Sequence, residues 1–143
     1  MNTCVFAAGS GGIYRAPADV GSLPAAARSG RLSWTVIDLR RVRGKRALLN
    51  AFARALGFPG TFGGNWDALA DCLQDLSWLQ DRDSAEGWVM LMRGVPQLAA
   101  AAPAEHATML EIIEAAAAYW RLHRRAFVVL VEGGAEFPPL PTA

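Results

Sequence analysis

Two short apolar runs constrain this chain most: Trp88-Val89-Met90-Leu91-Met92 and Ala126-Phe127-Val128-Val129-Leu130-Val131. A strand with one face in water alternates polar and apolar residues. The first run does not alternate, so it reads as a strand covered on both faces. Residues 33–39, Ser-Trp-Thr-Val-Ile-Asp-Leu, are rich in β-branched and aromatic types and read as another strand. Helical spacing fills the intervals. Leu48, Leu49, Phe52 and Leu56 put one apolar face on a helix over 45–56, and Gly57 stops it. Pro103 suits the first turn of a long helix reaching His123, with Leu110, Ile113, Ala117 and Trp120 inward. Arg121, His123, Arg124 and Arg125 suit its C-terminal end. Strands alternating with helices predict an α/β fold, a three-stranded parallel sheet with helices packed on it in two or three layers.

The ends carry weaker patterns. Residues 1–12 close on Gly-Ser-Gly-Gly without the Lys-Ser/Thr of a phosphate loop, which predicts a flexible lead-in. Gly12 to Arg15 reads as a short edge strand. Asp19 to Ser29 reads as a helix burying Val20, Leu23 and Ala27, interrupted by Pro24 and stopped by Gly30. Beyond Gly133-Gly134, Pro138, Pro139 and Pro141 predict an extended or flexible tail. The expected division is an extension over 1–31, a domain over 32–132 and a tail over 133–143.

A chain of 143 residues, 52% hydrophobic and 19% charged, supports one globular core. Its net charge of +1 argues against strong sequence-independent binding of nucleic acid. The charge is uneven, however. Between Arg28 and Arg54 stand eight Lys and Arg against one acid, Asp38, whereas Asp67 to Glu86 holds six acids against Arg82. Cys4 and Cys72 are the two cysteines, and no disulfide is expected between them. No basic leader or apolar run of spanning length precedes the fold, so a cytoplasmic location without membrane contact is expected.

The stretch 57–76, GFPGTFGGNWDALADCLQDL, carries the chemistry. Gly and Pro make a loop, Asn65 stands at an N-cap, and Trp66, Leu69, Leu73 and Leu76 form an apolar stripe. Asp67, Asp71 and Asp75 recur every four residues, so one acidic ridge is expected on a helix reaching Leu76. Like charges at that spacing cost roughly a few tenths of a kcal/mol per pair. Asp67 in the first turn is favoured by the helix dipole, and the other two gain little from it. The irregular stretch from Leu76 to Gly87 should turn at Asp81 to Ser84.

Segment 61–73, TFGGNWDALADCL, resembles the signature of the barstar family, intracellular protein inhibitors of ribonucleases such as barnase. The resemblance covers about 32–131 and implies a three-stranded parallel α/β domain, here with an N-terminal extension that adds a short strand and helix. It implies a partner, a ribonuclease whose cationic active site receives the acidic helix and the loop before it. Carried over by the motif, Asp71 is the dominant contact and Asp67 a second one. Thr61, Phe62, Gly63 and Asn65 match the binding loop, and Ala70 and Asp75 complete the expected surface. No catalytic residue, metal or cofactor is implied, nor direct contact with nucleic acid, and the protein is expected to be a monomer. Departures exist. Thr61 and Ala70 stand where another member has Tyr and Trp, and the end of the last helix is basic rather than acidic. Trp78 is a candidate replacement anchor, while Trp66 and Cys72 read as core. Two other readings remain open, a regulatory module with a non-nuclease partner and a metal-dependent enzyme built on Asp67 and Asp71. His106 and His123 read as surface residues.

Overall fold

The computed structural model describes residues 11–58, 64–79 and 86–140. Expectations for the lead-in and Cys4, for Thr61, Phe62 and Gly63, and for the turn at Asp81 to Ser84 lie outside the described residues. In chain order the elements are β1 (Gly11–Arg15), α1 (Leu23–Ser29), β2 (Leu32–Asp38), α2 (Lys45–Leu56), α3 (Trp66–Leu73), β3 (Gly87–Arg93), α4 (Val95–Ala101), α5 (Pro103–Leu122) and β4 (Ala126–Val131). A single 3₁₀ turn over Ser77–Leu79 follows α3. No helix among the described residues is long and apolar enough to cross a membrane.

The sheet runs β1-β4-β3-β2 and every pairing is parallel. The two unbroken apolar runs form its central strands, as burial on both faces requires. Alternate residues point to opposite faces. Trp88, Met90, Met92, Phe127, Val129 and Val131 join Leu48, Phe52, Leu69, Leu73, Ile113 and Trp120 in the larger core, under α2, α3, α4 and α5. Val89, Leu91, Ala126, Val128 and Leu130 face the other way and meet Leu23 and Ala27 of α1, with Trp34 and Tyr14 beside them. The three strands of the central prediction are thus joined by β1, whose Ile13 is in register with Val129. The extension supplies both an edge strand and the cover of the second face. That cover is short, and Val36 at the far end of β2 stays 42% exposed.

Several elements differ from expectation in detail. α1 starts at Leu23 rather than Asp19, because Pro24 is tolerated only in a first turn. The Ala-rich stretch before Pro103 forms a separate helix, α4. Residues before proline avoid helical angles, and Ala102 adopts φ −145° and ψ 72°, so α4 ends and α5 begins at a new angle. Within α5 the buried stripe is Met109, Ile113, Ala116, Ala117 and Trp120; Leu110 lies half-buried at its border. The tail up to residue 140 runs beside β1. Arg15 N–H donates to the Pro138 carbonyl at 2.7 Å, Phe137 packs on the larger core and Leu140 on the smaller.

Gly94 joins β3 to α4 at φ 87°, and a Cβ there would stand 2.6 Å from the backbone N of Arg40. Gly57 ends α2 at φ 63° with open space around it. Alanine at Gly57 meets only the left-handed penalty, about 1–2 kcal/mol. Alanine at Gly94 adds a backbone collision beneath the β2–α2 connection. Urea unfolding should therefore show Gly94→Ala losing more stability than Gly57→Ala, and equal losses would mean the Arg40 segment yields freely.

Candidate functional site

The acidic helix α3 is short, eight residues, so its ends must be well satisfied to hold it. At the start, Asn65 is extended and its Oδ1 accepts the Ala68 N–H at 2.8 Å. At the end, the Leu73 carbonyl accepts the Trp120 Nε1–H at 2.7 Å, a buried bond across 47 residues of sequence. Leu69 and Leu73 between these points are fully buried. The helix is therefore fixed at its cap, along its inner face and at its last turn by α5. Sequence reasoning placed Trp120 in the core stripe but not its indole N–H under α3. The available signal was a buried indole, which needs an acceptor.

The outer face carries Asp67 and Asp71, one turn apart and both exposed. Asp75 is not on this helix. α3 ends at Leu73, the N–H groups of Asp75 and Leu76 both bond the Cys72 carbonyl, and Leu76 turns inward at φ 52°. Burying Leu76 stops the helix early and puts Asp75 in the exposed turn beyond it. The ion pairs among the described residues are Arg40–Asp38 and Arg93–Glu132, so none neutralises Asp67, Asp71 or Asp75. Lys45 of α2 approaches the start of this helix, with Nζ 5.6 Å from the ring centre of Trp66. Trp66 is half-buried and packs against the larger core, and Ala70 is half-buried beside the two carboxylates.

Cys72 is a free, half-buried thiol. Burial pushes its pKa up, and the charges of Asp75 and Asp71 push it further in the same direction. Trp78 packs at the end of α2: its Nε1–H donates to the Leu56 carbonyl at 2.8 Å and its ring meets Phe58 edge-on at 5.7 Å. Both histidines lie on or at the end of α5. His123 is its exposed C-cap with Nδ1 2.8 Å from the Tyr119 carbonyl, while His106 is half-buried with Nε2 unpartnered. Arg125, expected at the end of that helix, lies past it and rests 4.7 Å over the Trp88 ring. Among the described residues no three His, Cys, Asp or Glu gather as a metal would need.

The protein is a parallel α/β domain that exposes two carboxylates on α3 with no ion-pair partner among the described residues. The family model described as Barstar (barnase inhibitor) matches residues 33–132. This chain belongs to the barstar family, whose members are inhibitors rather than enzymes. Among curated proteins none matches the chain.

Two outcomes follow from the geometry. Asn65→Ala removes the cap bond and should cost about 1 kcal/mol in chemical denaturation. The raised Cys72 pKa keeps the thiol neutral, so alkylation by iodoacetamide at pH 8 should be slower than for a free cysteine. Asp71→Ala lowers that pKa and should speed it, whereas an unchanged rate would show that the ridge's field does not reach Cys72.

Proposed function

We propose that the protein inhibits a ribonuclease by seating α3 in the enzyme's active site, with Asp71 as principal contact and Asp67 beside it. The observation that carries this reading is a barstar-family domain whose helix shows two exposed carboxylates with no ion pair among the described residues. A ribonuclease site gathers cations for a scissile phosphate, and carboxylates on a helix can meet the same donors with charge-assisted hydrogen bonds. The repulsion between Asp67 and Asp71 is relieved in such a pocket. Because the cap, the inner leucines and Trp120 already fix α3, little ordering entropy remains to be lost on binding.

The loop residues Thr61, Phe62 and Gly63 belong to the same proposed surface, with Asn65, Ala70 and Asp75 at its border. Small Thr61 and Ala70 shift the grip from aromatic packing to charge. In this reading the protein acts as a cytoplasmic, monomeric immunity protein or antitoxin, and performs no catalysis of its own.

The test is titration of a small toxin-type ribonuclease, above all one encoded beside this gene, with wild type and variants. Asp71→Ala should weaken inhibition by about 2 kcal/mol or more, roughly thirtyfold in Kd, because the enzyme's cations are left buried and unpaired. Asp67→Ala should cost less. Association should slow as salt rises. Equal inhibition by wild type and Asp71→Ala would remove the ridge from the mechanism. Metal-dependent turnover by the protein itself, lost in Asp71→Ala, would replace inhibition with catalysis.

A further inference from the structure

Part of the cationic stretch between Arg28 and Arg54 lines open clefts on the surface. An open cleft of about 800 Å³ lies between the chain leaving β2 and one side of α2, lined by Asp38, Arg40, Arg41, Asn50 and Arg54 over Val42, Ala47 and Ala51. It opens beyond the carboxyl end of the edge strand β2. Its single acid among the described residues is already committed. Asp38 holds Arg40 through two bonds, Arg40 Nε–H to Oδ1 at 2.9 Å and Nη2–H to Oδ2 at 2.7 Å. Arg41 and Arg54 make no ion pair with any described residue. Arg43 Nη1–H donates to the carbonyls of Arg40 and Val42 at 3.3 and 3.2 Å, which stiffens the connection that carries these side chains. A second cleft of about 450 Å³, lined by Lys45, Arg46, Leu49, Asn50 and Gly64, shares Asn50 with the first. The two form one cationic track along α2, from Arg54 to Lys45.

We propose that this track binds the phosphodiester backbone of nucleic acid without reading its bases. Four observations select that ligand. Cations spread from Lys45 to Arg54 along about 14 Å of helix, which suits a chain of phosphates better than one. Beside Val42 the floor is Ala47 and Ala51, short side chains that let a backbone approach the guanidinium groups closely. Among the described residues no aromatic ring lines either cleft, so the described lining offers bases no stacking platform. Neither Val36 nor Leu122, the large apolar residues exposed on the described surface, lines the track, so its described lining offers no exposed apolar anchor of a protein interface. The near-zero net charge argued against such a ligand at the level of the whole chain. Segregation undoes that argument, because phosphate contacts act within about a Debye length, roughly 10 Å at 0.1 M salt.

The proposal is independent of ribonuclease inhibition and is tested without a nuclease. Binding of a fluorescent 20-nucleotide RNA to the intact protein is followed by anisotropy from 50 to 200 mM salt. Log K should fall linearly with log salt, with a slope of about −3. Arg41→Ala/Arg54→Ala should flatten the slope by about 1 to 2 and weaken binding at 50 mM at least tenfold. Arg28→Ala, which removes one exposed charge from α1 on the opposite face of the sheet, and Asp71→Ala should leave the slope unchanged. A scrambled RNA should compete equally. No binding at 50 mM, or an unaltered slope in the double variant with native circular dichroism, overturns the proposal. Competition by tripolyphosphate or ATP at equal phosphate concentration would make this a small-anion site. Competition by polyglutamate as strong as by RNA would make it a site for acidic protein. Either result overturns the nucleic-acid assignment.

Discussion

Double-sided burial of β3 and β4 is the constraint on which the rest depends. A strand pair that is apolar on both faces must be covered twice, and the chain meets this with unequal means. Four helices close one face, and a single seven-residue helix from the N-terminal extension closes most of the other. The family match begins at residue 33, yet Ile13, Leu23 and Ala27 before it are buried against strands inside it. Without β1 and α1, Val89, Leu91, Val128 and Leu130 would form an apolar face in water, so in packing terms the extension continues the core. The carboxyl-terminal residues support it in turn, since the Pro138 carbonyl accepts from Arg15 and Leu140 packs on the second cluster.

The same covering layer positions the acidic helix. α3 is too short to be stable from its own hydrogen bonds. Its geometry comes from Leu69 and Leu73 against the sheet side and from Trp120, whose indole reaches the Leu73 carbonyl. Trp120 is itself held by Trp88, with ring centres 4.6 Å apart, and Trp88 is the second residue of β3. A continuous set of packed groups thus runs from the central sheet through α5 to the last turn of α3. The carboxylates sit on the outer side of a helix whose inner side cannot move without disturbing β3.

Legibility in the sequence followed the strength of local pattern. The runs 88–92 and 126–131, the helix over 45–56 and the Asn65 cap were all readable, because each depends on neighbours within a few residues. Asp75 was misplaced because its spacing from Asp71 is helical while its fate is decided by Leu76, which the core draws inward at φ 52°. α4 was legible only in part: its alanines before Pro103 read as helical, but its start at Val95 and its separation from α5 were not marked by local pattern. The link from Trp120 to Leu73 spans too much sequence for any periodicity to reveal. The acidic residues themselves were legible, and their lack of ion-pair partners among the described residues needed the structure.

Charge is the remaining organising feature, and it is segregated although the total is nearly zero. α2 begins at Gly44 without a side-chain cap, and basic Lys45 and Arg46 stand in its first turn with no acid beside them, which the helix dipole disfavours. α3 next to it begins with a capped, acidic first turn, which the dipole favours, and then adds Asp71, which it does not. Two neighbouring helices with opposite charge could have neutralised each other. Instead Lys45 lies over the Trp66 ring, and no ion pair joins α2 to α3 among the described residues. An aromatic side chain between them keeps both surfaces charged toward solvent. Each helix forgoes a small local stabilisation, on the order of 0.3–0.5 kcal/mol per exposed pair, and each remains free to meet an external charge of the opposite sign.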